Sequence, residues 1–295
     1  MITKPVFIVG LNRTGSTLVK NMLDLNSEIA MVPEELHLWD PYPWANVVLN
    51  NCKKLDFQDK KNIVDFVEDL FSKKFYGSFW QNINNYDIDK NKILTDLQMT
   101  DENRVNCKEI INLIFLNYLW KQKKKRIGVK YPIHISKISL LNQWYPDCKI
   151  IHLTRDPRAI YSSKSNDEFT KKLRNKYKKI EKIILIVTLI RTIFEYNWSR
   201  RIHIKHRKDE NYMLLRYEDL ISEPEKNIKK LCSFLEISFE QDMLFPSGKP
   251  SSHTNDRITG FDKNRIDVWK TKIHNWEIGL IDFFAKKSLD EFNYN

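Results

Sequence analysis

The feature that most constrains the fold of this chain is a strand, a polar turn and a helix in close succession near the N-terminus. The run from Val6 to Val9 is β-branched and aromatic, which predicts a buried strand. After the turn, apolar residues recur at helical spacing: Leu18, Val19, Met22 and Leu23. A strand that leads directly into a helix is typical of folds in which strands alternate with helices around a sheet.

The turn between this strand and helix has the composition of an anion-binding loop. Gly10 and Gly15 allow the backbone to curl so that successive N–H groups face inward. The helix begins at about Ser16 and adds its unpaired amides and the positive end of its dipole. Arg13 supplies a planar fork for pairs of oxygens. The alternative is a glycine-containing turn that binds no ligand.

The segment from Gly10 to Thr17 fits the nucleotide-hydrolysing P-loop pattern G-x-x-x-x-G-K-[ST], except that Ser16 stands at the lysine position. A triphosphate site uses that lysine and a magnesium ion, whereas a sulfuryl group carries only about one negative charge, so a loop with Arg13 and hydroxyls can suffice without metal. The loop resembles that of the sulfotransferase family, which uses 3′-phosphoadenosine 5′-phosphosulfate (PAPS). The family pattern [KR]-[ST]-G-[ST]-[ST] implies a phosphosulfate loop formed by Arg13, Thr14, Gly15, Ser16 and Thr17.

Composition predicts a folded protein and leaves several partners open. Of 295 residues, 42% are hydrophobic and 12% aromatic, which argues against disorder. The net charge of +11 suits an anionic co-substrate, nucleic acid or a membrane surface. The four cysteines show no metal-binding spacing. No signal peptide is recognisable, and the most apolar window, 183–193, is too short to span a bilayer, so a soluble, cytoplasmic protein is expected.

The segment after Pro33 carries two candidates for proton transfer. If it is extended, Glu35 and His37 lie on one side and Leu36 and Leu38 on the other. It resembles the segment that holds the catalytic base in several sulfotransferase branches, and either residue fits that role. An acidic helix start with a partly buried histidine is the alternative. His134 is the next candidate for the base.

Two later segments are predicted to be strands that end at candidate site residues. Arg126 to Lys130 predicts a strand, and ligands bind at the carboxyl ends of strands in parallel sheets. Lys130 resembles the lysine of the family's K-x-P segment, which reaches the bridging oxygen of the phosphosulfate. A second strand, Ile150 to Thr154, leads into Arg155-Asp-Pro157, where the proline favours a helix start.

Arg155 and Ser163 resemble the family's 3′-phosphate motif, in which a serine follows the arginine by eight residues. The resemblance implies that both bind the 3′-phosphate. The alternative is a salt bridge of Arg155 with Asp156 or Glu218.

The C-terminal part of the chain supplies the remaining implied contacts with the nucleotide. Tyr217 follows a predicted strand, Tyr212 to Arg216, and resembles the tyrosine that contacts the adenine. The segment from Arg257 to Lys270 resembles the loop that closes over the nucleotide, although the family's glycine before Trp269 is missing. Either Lys263 or Arg265 is therefore implied as the cation at the 3′-phosphate.

The helical segments have less specific signals. Amphipathic helices are predicted from Asp59 to Phe75 and from Thr100 to Lys124, with Thr100 as the N-cap. We interpret 41–125 as a helical insertion on the acceptor side, whose aromatics Trp39, Trp44, Trp80 and Tyr86 either line a pocket or pack in the core. A long helix is predicted from Ile180 to His206. The residues of this helix that are expected to face the protein core are Ile183, Ile184, Val187, Ile190, Ile193 and Phe194.

Together these patterns predict a single α/β domain over 1–295, with three αβα layers, a central parallel sheet, a P-loop-like phosphosulfate loop and the helical insertion. The resemblance implies a PAPS-dependent sulfotransferase that needs no metal, releases 3′-phosphoadenosine 5′-phosphate (PAP) and sulfates a hydroxyl of a small molecule, carbohydrate, lipid or peptide, with an amine as the second choice. Two rivals are a P-loop kinase, which should show the missing lysine and a magnesium ligand, and a nucleic-acid-binding protein, which would use the basic runs.

Overall fold

The computed structural model describes residues 2–39, 45–101, 105–248 and 258–294 and contains a five-stranded sheet in the order β2-β3-β1-β4-β5. Its strands are β1 (Val6–Gly10), β2 (Ile29–Met31), β3 (Arg126–Tyr131), β4 (Lys149–Thr154) and β5 (Tyr212–Arg216). Both β2 with β3 and β4 with β5 pair in parallel. Every residue of β1 and β3 is buried, as expected for parallel strands covered on both faces. The predicted α/β class with a central parallel sheet is confirmed.

The chain separates into two compact units. Unit 1 consists of Met1–Phe7 and Ser27–Cys148. Its helices are α2 (Val48–Cys52), α3 (Lys60–Phe71), α4 (Ser78–Asn82), α5 (Lys90–Met99), α6 (Cys107–Gln122) and α7 (Ile138–Trp144). The predicted insertion is therefore helical where it is described, while its role on the acceptor side and the assignment of one domain to the whole chain stay predictions.

The caps of the unit 1 helices correct one prediction. Helix α3 begins where its periodicity predicts, and the Asp59 side chain accepts a hydrogen bond from the Lys61 N–H. Thr100 does not cap α6: it ends α5, and its hydroxyl donates to the Asp96 carbonyl. The N-cap of α6 is Asn106, whose side chain accepts a hydrogen bond from the Glu109 N–H.

Unit 2 consists of Ile8–Asn26 and Lys149–Asn295. Its helices are α1 (Ser16–Asp24), α8 (Pro157–Ser165), α9 (Glu168–Lys176), α10 (Glu181–His206), α11 (Tyr217–Ser222), α12 (Pro224–Leu235), α13 (Asn275–Phe284) and α14 (Lys286–Phe292). A short antiparallel pair joins β6 (Ser247–Gly248) to β7 (Ile258–Thr259). A buried cluster that includes Ile160, Leu189, Tyr196 and Phe292 forms the core around α8, α10 and α14. None of the described helices is sufficiently long and apolar to cross a membrane.

The predicted core face of α10 is wrong for four of its six residues; of the other two, Ile193 packs against the core as predicted, and Ile184 is half-buried. Ile183, Val187, Ile190 and Phe194 are 57% to 70% exposed, and the buried residues are instead Leu189, Thr192, Tyr196, Ser199, His203 and His206. Because the first half of α10 is apolar on all sides, its periodicity does not determine which side faces the core. Polar residues on the buried side find partners: the Thr192 hydroxyl donates to the Thr188 carbonyl, and Ser199 Oγ lies 3.0 Å from His152 Nε2.

Candidate active site

The loop that follows β1 requires glycine at two positions. Gly10 has φ +152°, and a Cβ there would lie 2.3 Å from the Leu153 carbonyl oxygen of β4. Gly15 has φ +93°, and a Cβ there would lie 2.4 Å from the Tyr217 ring. Between them the buried Thr14 hydroxyl donates to the Leu11 carbonyl at 2.8 Å. Strands β1 and β4 and helix α11 therefore determine a tightly folded loop in which only glycine fits at both places.

Helix α1 begins at the end of this loop and leaves its N-terminus available to an anion. Its N-cap is Gly15, which has no side chain to accept from the first amides, and its first turn has no acidic residue. Ser16 is buried and Thr17 is half-buried. The positive end of the helix dipole therefore lies at the loop, as the sequence predicts.

Two residues from distant parts of the chain meet beside the loop. Arg13 Nε donates a hydrogen bond to Ser163 Oγ of α8 at 3.0 Å. Arg13 adopts a left-handed conformation with φ +75°, which is uncommon for a residue with a side chain. The sequence motifs place these two residues at different phosphate groups, whereas the structure brings them into direct contact.

Arg155 joins the same cluster. It donates to the Arg13 carbonyl at 3.3 Å and to the Arg265 carbonyl at 3.0 Å, and its guanidinium lies 4.3 Å from the centre of the Tyr217 ring. Its Nε is buried and has no hydrogen-bond partner among the described residues. Stacking on an aromatic ring and donation to carbonyls orient a guanidinium without neutralising its charge.

The salt bridge considered as the alternative for Arg155 is not formed. Asp156 binds Arg158 at 2.8 Å, and Glu218 accepts hydrogen bonds from the Asp156 N–H and the Tyr294 hydroxyl. Across the described ranges, no carboxylate forms an ion pair with Arg13 or Arg155.

Burial and neighbouring charges of both signs act on Arg13. Burial lowers the pKa of its guanidinium; Asp167 opposes this lowering, and Arg155 adds to it. Two neighbouring guanidinium groups without an ion-paired carboxylate destabilise each other unless an anion lies between or beside them. We define Arg13, Arg155, Ser163 and Tyr217 as the guanidinium cluster.

Of the two cations implied for the closing loop, one lies at this cluster. Arg265 offers its carbonyl to Arg155, and its side chain lies 3.4 Å from Asp262. Lys263, on the same short 3-10 turn, is exposed. Arg257, where the resembling segment begins, lies outside the described residues.

A half-buried ion pair near the cluster was not predicted from the sequence. Lys164 Nζ lies 2.5 Å from Glu195 of α10. Burial lowers the pKa of Lys164, and Glu195 opposes the lowering. Lys164 follows Ser163 directly, but its partner is distant in sequence, so no local pattern marks the pair.

A second cluster of ionisable residues lies in unit 1. Glu35 Oε1 is 3.2 Å from Lys130 Nζ, at the end of β3, and Glu35 Oε2 is 3.4 Å from His37 Nε2. Leu36 and Leu38 are buried, so the side chains alternate as the sequence predicts. The segment is not helical, and His37 has φ +43°, which bends it away from a regular strand.

The surroundings of Glu35 hold it in the charged form. Burial alone would raise the pKa of this carboxyl group, but contact with His37 and the charge of Lys130 outweigh burial and lower the pKa to about 2. His134 follows β3, and its ring centre lies 6.4 Å from that of His37. Burial lowers the pKa of His134 to about 3, so its imidazole is neutral at pH 7.

Some aromatic residues of unit 1 pack in the core, and others lie beside the ionisable residues described above. Trp80 is fully buried, and its indole N–H donates to the Leu36 carbonyl, so it supports the Glu35 segment from within the core. Trp39 packs against His134 with ring centres 5.5 Å apart, and Tyr86 stacks on Phe79. Trp44 lies outside the described residues. A pocket-lining role for Trp39 and Tyr86 stays a prediction.

Comparisons with known proteins give the chain its family. A model of the sulfotransferase family matches residues 5–241. The ω-hydroxy-β-dihydromenaquinone-9 sulfotransferase Stf3 of Mycobacterium bovis is 23% identical over 254 residues, which are 78% of this chain and 62% of that relative. The chain thus spans less than two thirds of the length of this curated relative.

Two solved structures show the same fold. The sulfotransferase domain from the curacin biosynthetic pathway superposes with a TM-score of 0.58 at 20% identity, covering 97% of this chain and 98% of that domain. Mouse sulfotransferase SULT7A1 complexed with PAP gives a TM-score of 0.50 at 12% identity, covering 97% and 84%. With the family match extending over most of its length, this chain belongs to the sulfotransferase family.

Proposed function

We propose that this protein transfers a sulfuryl group from PAPS to a hydroxyl group of an acceptor, with an amine as the second choice. In that reaction the acceptor oxygen forms a bond to sulfur, the bond from sulfur to the bridging phosphate oxygen breaks, PAP leaves, and the acceptor proton passes to a base. The observation that supports this proposal best is the guanidinium cluster, in which Arg13 and Arg155 are oriented by neutral groups and form no ion pair with a described carboxylate.

The residues of unit 2 fit a nucleotide that carries two separate phosphate groups. The α1 amides, Arg13 and the hydroxyls of Thr14, Ser16 and Thr17 would hold the phosphosulfate. Arg155 and Ser163 would bind the 3′-phosphate, and the unpaired Nε of Arg155 provides a donor for it. Tyr217 would contact the adenine. Of the two candidate cations we favour Arg265 for the 3′-phosphate, because its backbone already contacts Arg155.

The residues of unit 1 fit proton transfer. We assign the general base to Glu35, which is charged at neutral pH, and a positioning role to His37, which contacts its second oxygen. Lys130 would stabilise the charge that develops on the leaving phosphate. Because Lys130 contacts Glu35, its engagement by PAPS would weaken that ion pair and make Glu35 a stronger base. His134 is the alternative base, since its imidazole is neutral.

The name of the mycobacterial relative supports a hydroxyl acceptor, because it names an ω-hydroxy compound as the molecule that this relative sulfates. A screen of lipid alcohols, phenols, sugars and peptides with labelled PAPS would identify the acceptor of this chain.

Binding of PAP and AMP, measured by calorimetry, tests the proposal. Hydrogen bonds between charged groups contribute about 1.5 to 3 kcal/mol, so loss of the 3′-phosphate should weaken binding at least tenfold. Arg155→Ala should lower the affinity for PAP by a similar factor and leave that for AMP nearly unchanged. Arg191→Ala, which removes an exposed guanidinium from α10, serves as the control. Equal affinity of the unmodified protein for PAP and AMP would contradict the proposed 3′-phosphate site.

A further inference from the structure

Helix α10 presents an apolar face that no described residue covers. Five residues form this face, which we call the α10 face: Ile183, Ile186, Val187, Ile190 and Phe194. All five are 43% to 70% exposed, whereas the neighbouring Ile193 packs against the core of unit 2. A helix that is apolar on all sides is normally covered on all sides, and contiguous exposed apolar surface usually marks an interaction site.

The neighbouring helix α13 extends this surface. Its exposed residues are Trp276, Leu280, Phe283 and Phe284, which recur at the spacing of one helix face. The two helices are tied together where the Asn197 side chain of α10 donates to the Phe284 carbonyl at 3.0 Å. Two helices of unit 2 therefore expose aromatic and β-branched side chains side by side.

Cations stand at both ends of the α10 face. Before it lie Lys178, Lys179 and Lys182, all exposed. After it, Arg201 and Lys205 follow Phe194 at intervals of seven and four residues, which keeps them on the same side of the helix. The two acidic residues of this helix segment are engaged elsewhere: Glu181 binds Arg174, and Glu195 binds Lys164 and Arg191.

This charge pattern decides between the occupants of the face. In a parallel pair of α10 helices, each lysine cluster would meet its own copy. In an antiparallel pair, Lys178 to Lys182 would meet Arg201 and Lys205, so like charges would again oppose each other. An anionic partner complements the cations at both ends, and a flat anionic surface with an apolar interior also accepts the convex helix face between them.

We propose that the α10 face docks this protein on anionic phospholipid membranes. The helix lies along the membrane surface, its apolar side chains enter the boundary between headgroups and acyl chains, and the flanking cations bind lipid phosphates. It does not leave the fold to do so, because Leu189, Tyr196 and His203 on its opposite side stay buried in unit 2. The aromatics of α13 suit the same interfacial depth.

Vesicle flotation with the whole chain tests this proposal without an activity assay. The unmodified protein should float with phosphatidylcholine vesicles that contain phosphatidylglycerol, far less with phosphatidylcholine alone, and less as salt rises. Lys178→Gln/Lys179→Gln/Lys182→Gln should weaken binding about a hundredfold, since each lysine near an anionic surface contributes about fivefold. Neutralising three exposed lysines of α12, as in Lys226→Gln/Lys229→Gln/Lys230→Gln, should change binding much less.

A second pair of variants tests the apolar side chains of the α10 face. Val187→Ser/Ile190→Ser/Phe194→Ser should lower vesicle binding at least tenfold. The control Met99→Ser/Trp120→Ser/Phe245→Ser, which removes three other exposed apolar side chains, should not. Circular dichroism and PAP binding report whether each variant is folded. The proposal is overturned if the unmodified protein does not float, if the two apolar variants float equally, or if sedimentation shows a dimer that only the α10 variant dissociates.

Discussion

The carboxyl group of Glu35 offers a quantitative test of the unit 1 cluster. In the folded protein its pKa is lowered from 4.5 to about 2, although burial acts in the opposite direction. The unfolded chain therefore binds more protons than the folded chain between these values, so the stabilisation is present above about pH 4.5 and is lost as the pH falls towards 2. The perturbation that removes this dependence is Glu35→Gln.

The size of the effect follows from the lowered pKa. A change from 4.5 to about 2 corresponds to about 3 kcal/mol of stabilisation at neutral pH, of which about 2 kcal/mol is lost between pH 7 and pH 3. The difference in free energy of unfolding between the unmodified protein and Glu35→Gln should shrink by that amount over this range. Lys130→Met should reduce the pH-dependent part without abolishing it, because contact with His37 contributes more to the lowering than Lys130 does.

Urea unfolding followed by circular dichroism at pH 7, 5 and 3 measures these differences. Glu225→Gln, which removes an exposed carboxylate on α12, controls for the loss of a surface charge. If the difference between the unmodified protein and Glu35→Gln stays constant from pH 7 to pH 3, the carboxyl group of Glu35 has an ordinary pKa. The contacts with Lys130 and His37 would then not exist in solution.

Three further predictions concern turnover and the loop. Glu35→Gln should lower the turnover rate about 10² to 10⁴-fold with little change in PAP affinity, and His37→Asn should lower it less. A phenolic acceptor of low pKa should partly rescue Glu35→Gln, whereas near-normal rates for both variants would make His134 the next candidate for the base. Turnover with PAPS should survive EDTA, whereas loss of activity that magnesium restores would favour a kinase. Gly15→Ala should cost about 1 to 3 kcal/mol of stability and weaken PAP binding, because its Cβ would overlap the Tyr217 ring. The control Gly279→Ala, in an open helical position, should be neutral or slightly stabilising, and equal effects of the two variants would contradict the close packing of the loop.

Local signals predicted most of what surrounds the loop. The strand, the glycines and the start of α1 are recognisable within fourteen residues, although the contacts that require glycine, with Leu153 and Tyr217, are distant in sequence. The alternation of Glu35 and His37 with Leu36 and Leu38 likewise follows from backbone geometry alone. Such features could be predicted because the residues that mark them are neighbours in sequence.

Features that depend on distant contacts could not be predicted. The hydrogen bond from Arg13 to Ser163 joins residues 150 positions apart, and the contact of Arg265 with Arg155 joins residues 110 apart. The orientation of α10 was predicted incorrectly for a different reason. Its apolar pattern fits either side, and the side that became buried is the one whose polar groups find partners, as Ser199 does with His152.

The two clusters differ in how their cations are neutralised, and this difference has a consequence for the order of events. In unit 2, Arg13 and Arg155 form no ion pair with a described carboxylate, so binding of a nucleotide with two separate anionic groups would break no existing ion pair of theirs. In unit 1, Lys130 already binds Glu35. If Lys130 turns to the phosphosulfate, as the family resemblance implies, Glu35 loses a charge that lowers its pKa, and its basicity rises only after PAPS has bound. With the roles proposed above, the ion pair between Lys130 and Glu35 would couple the strength of the base to binding of the co-substrate.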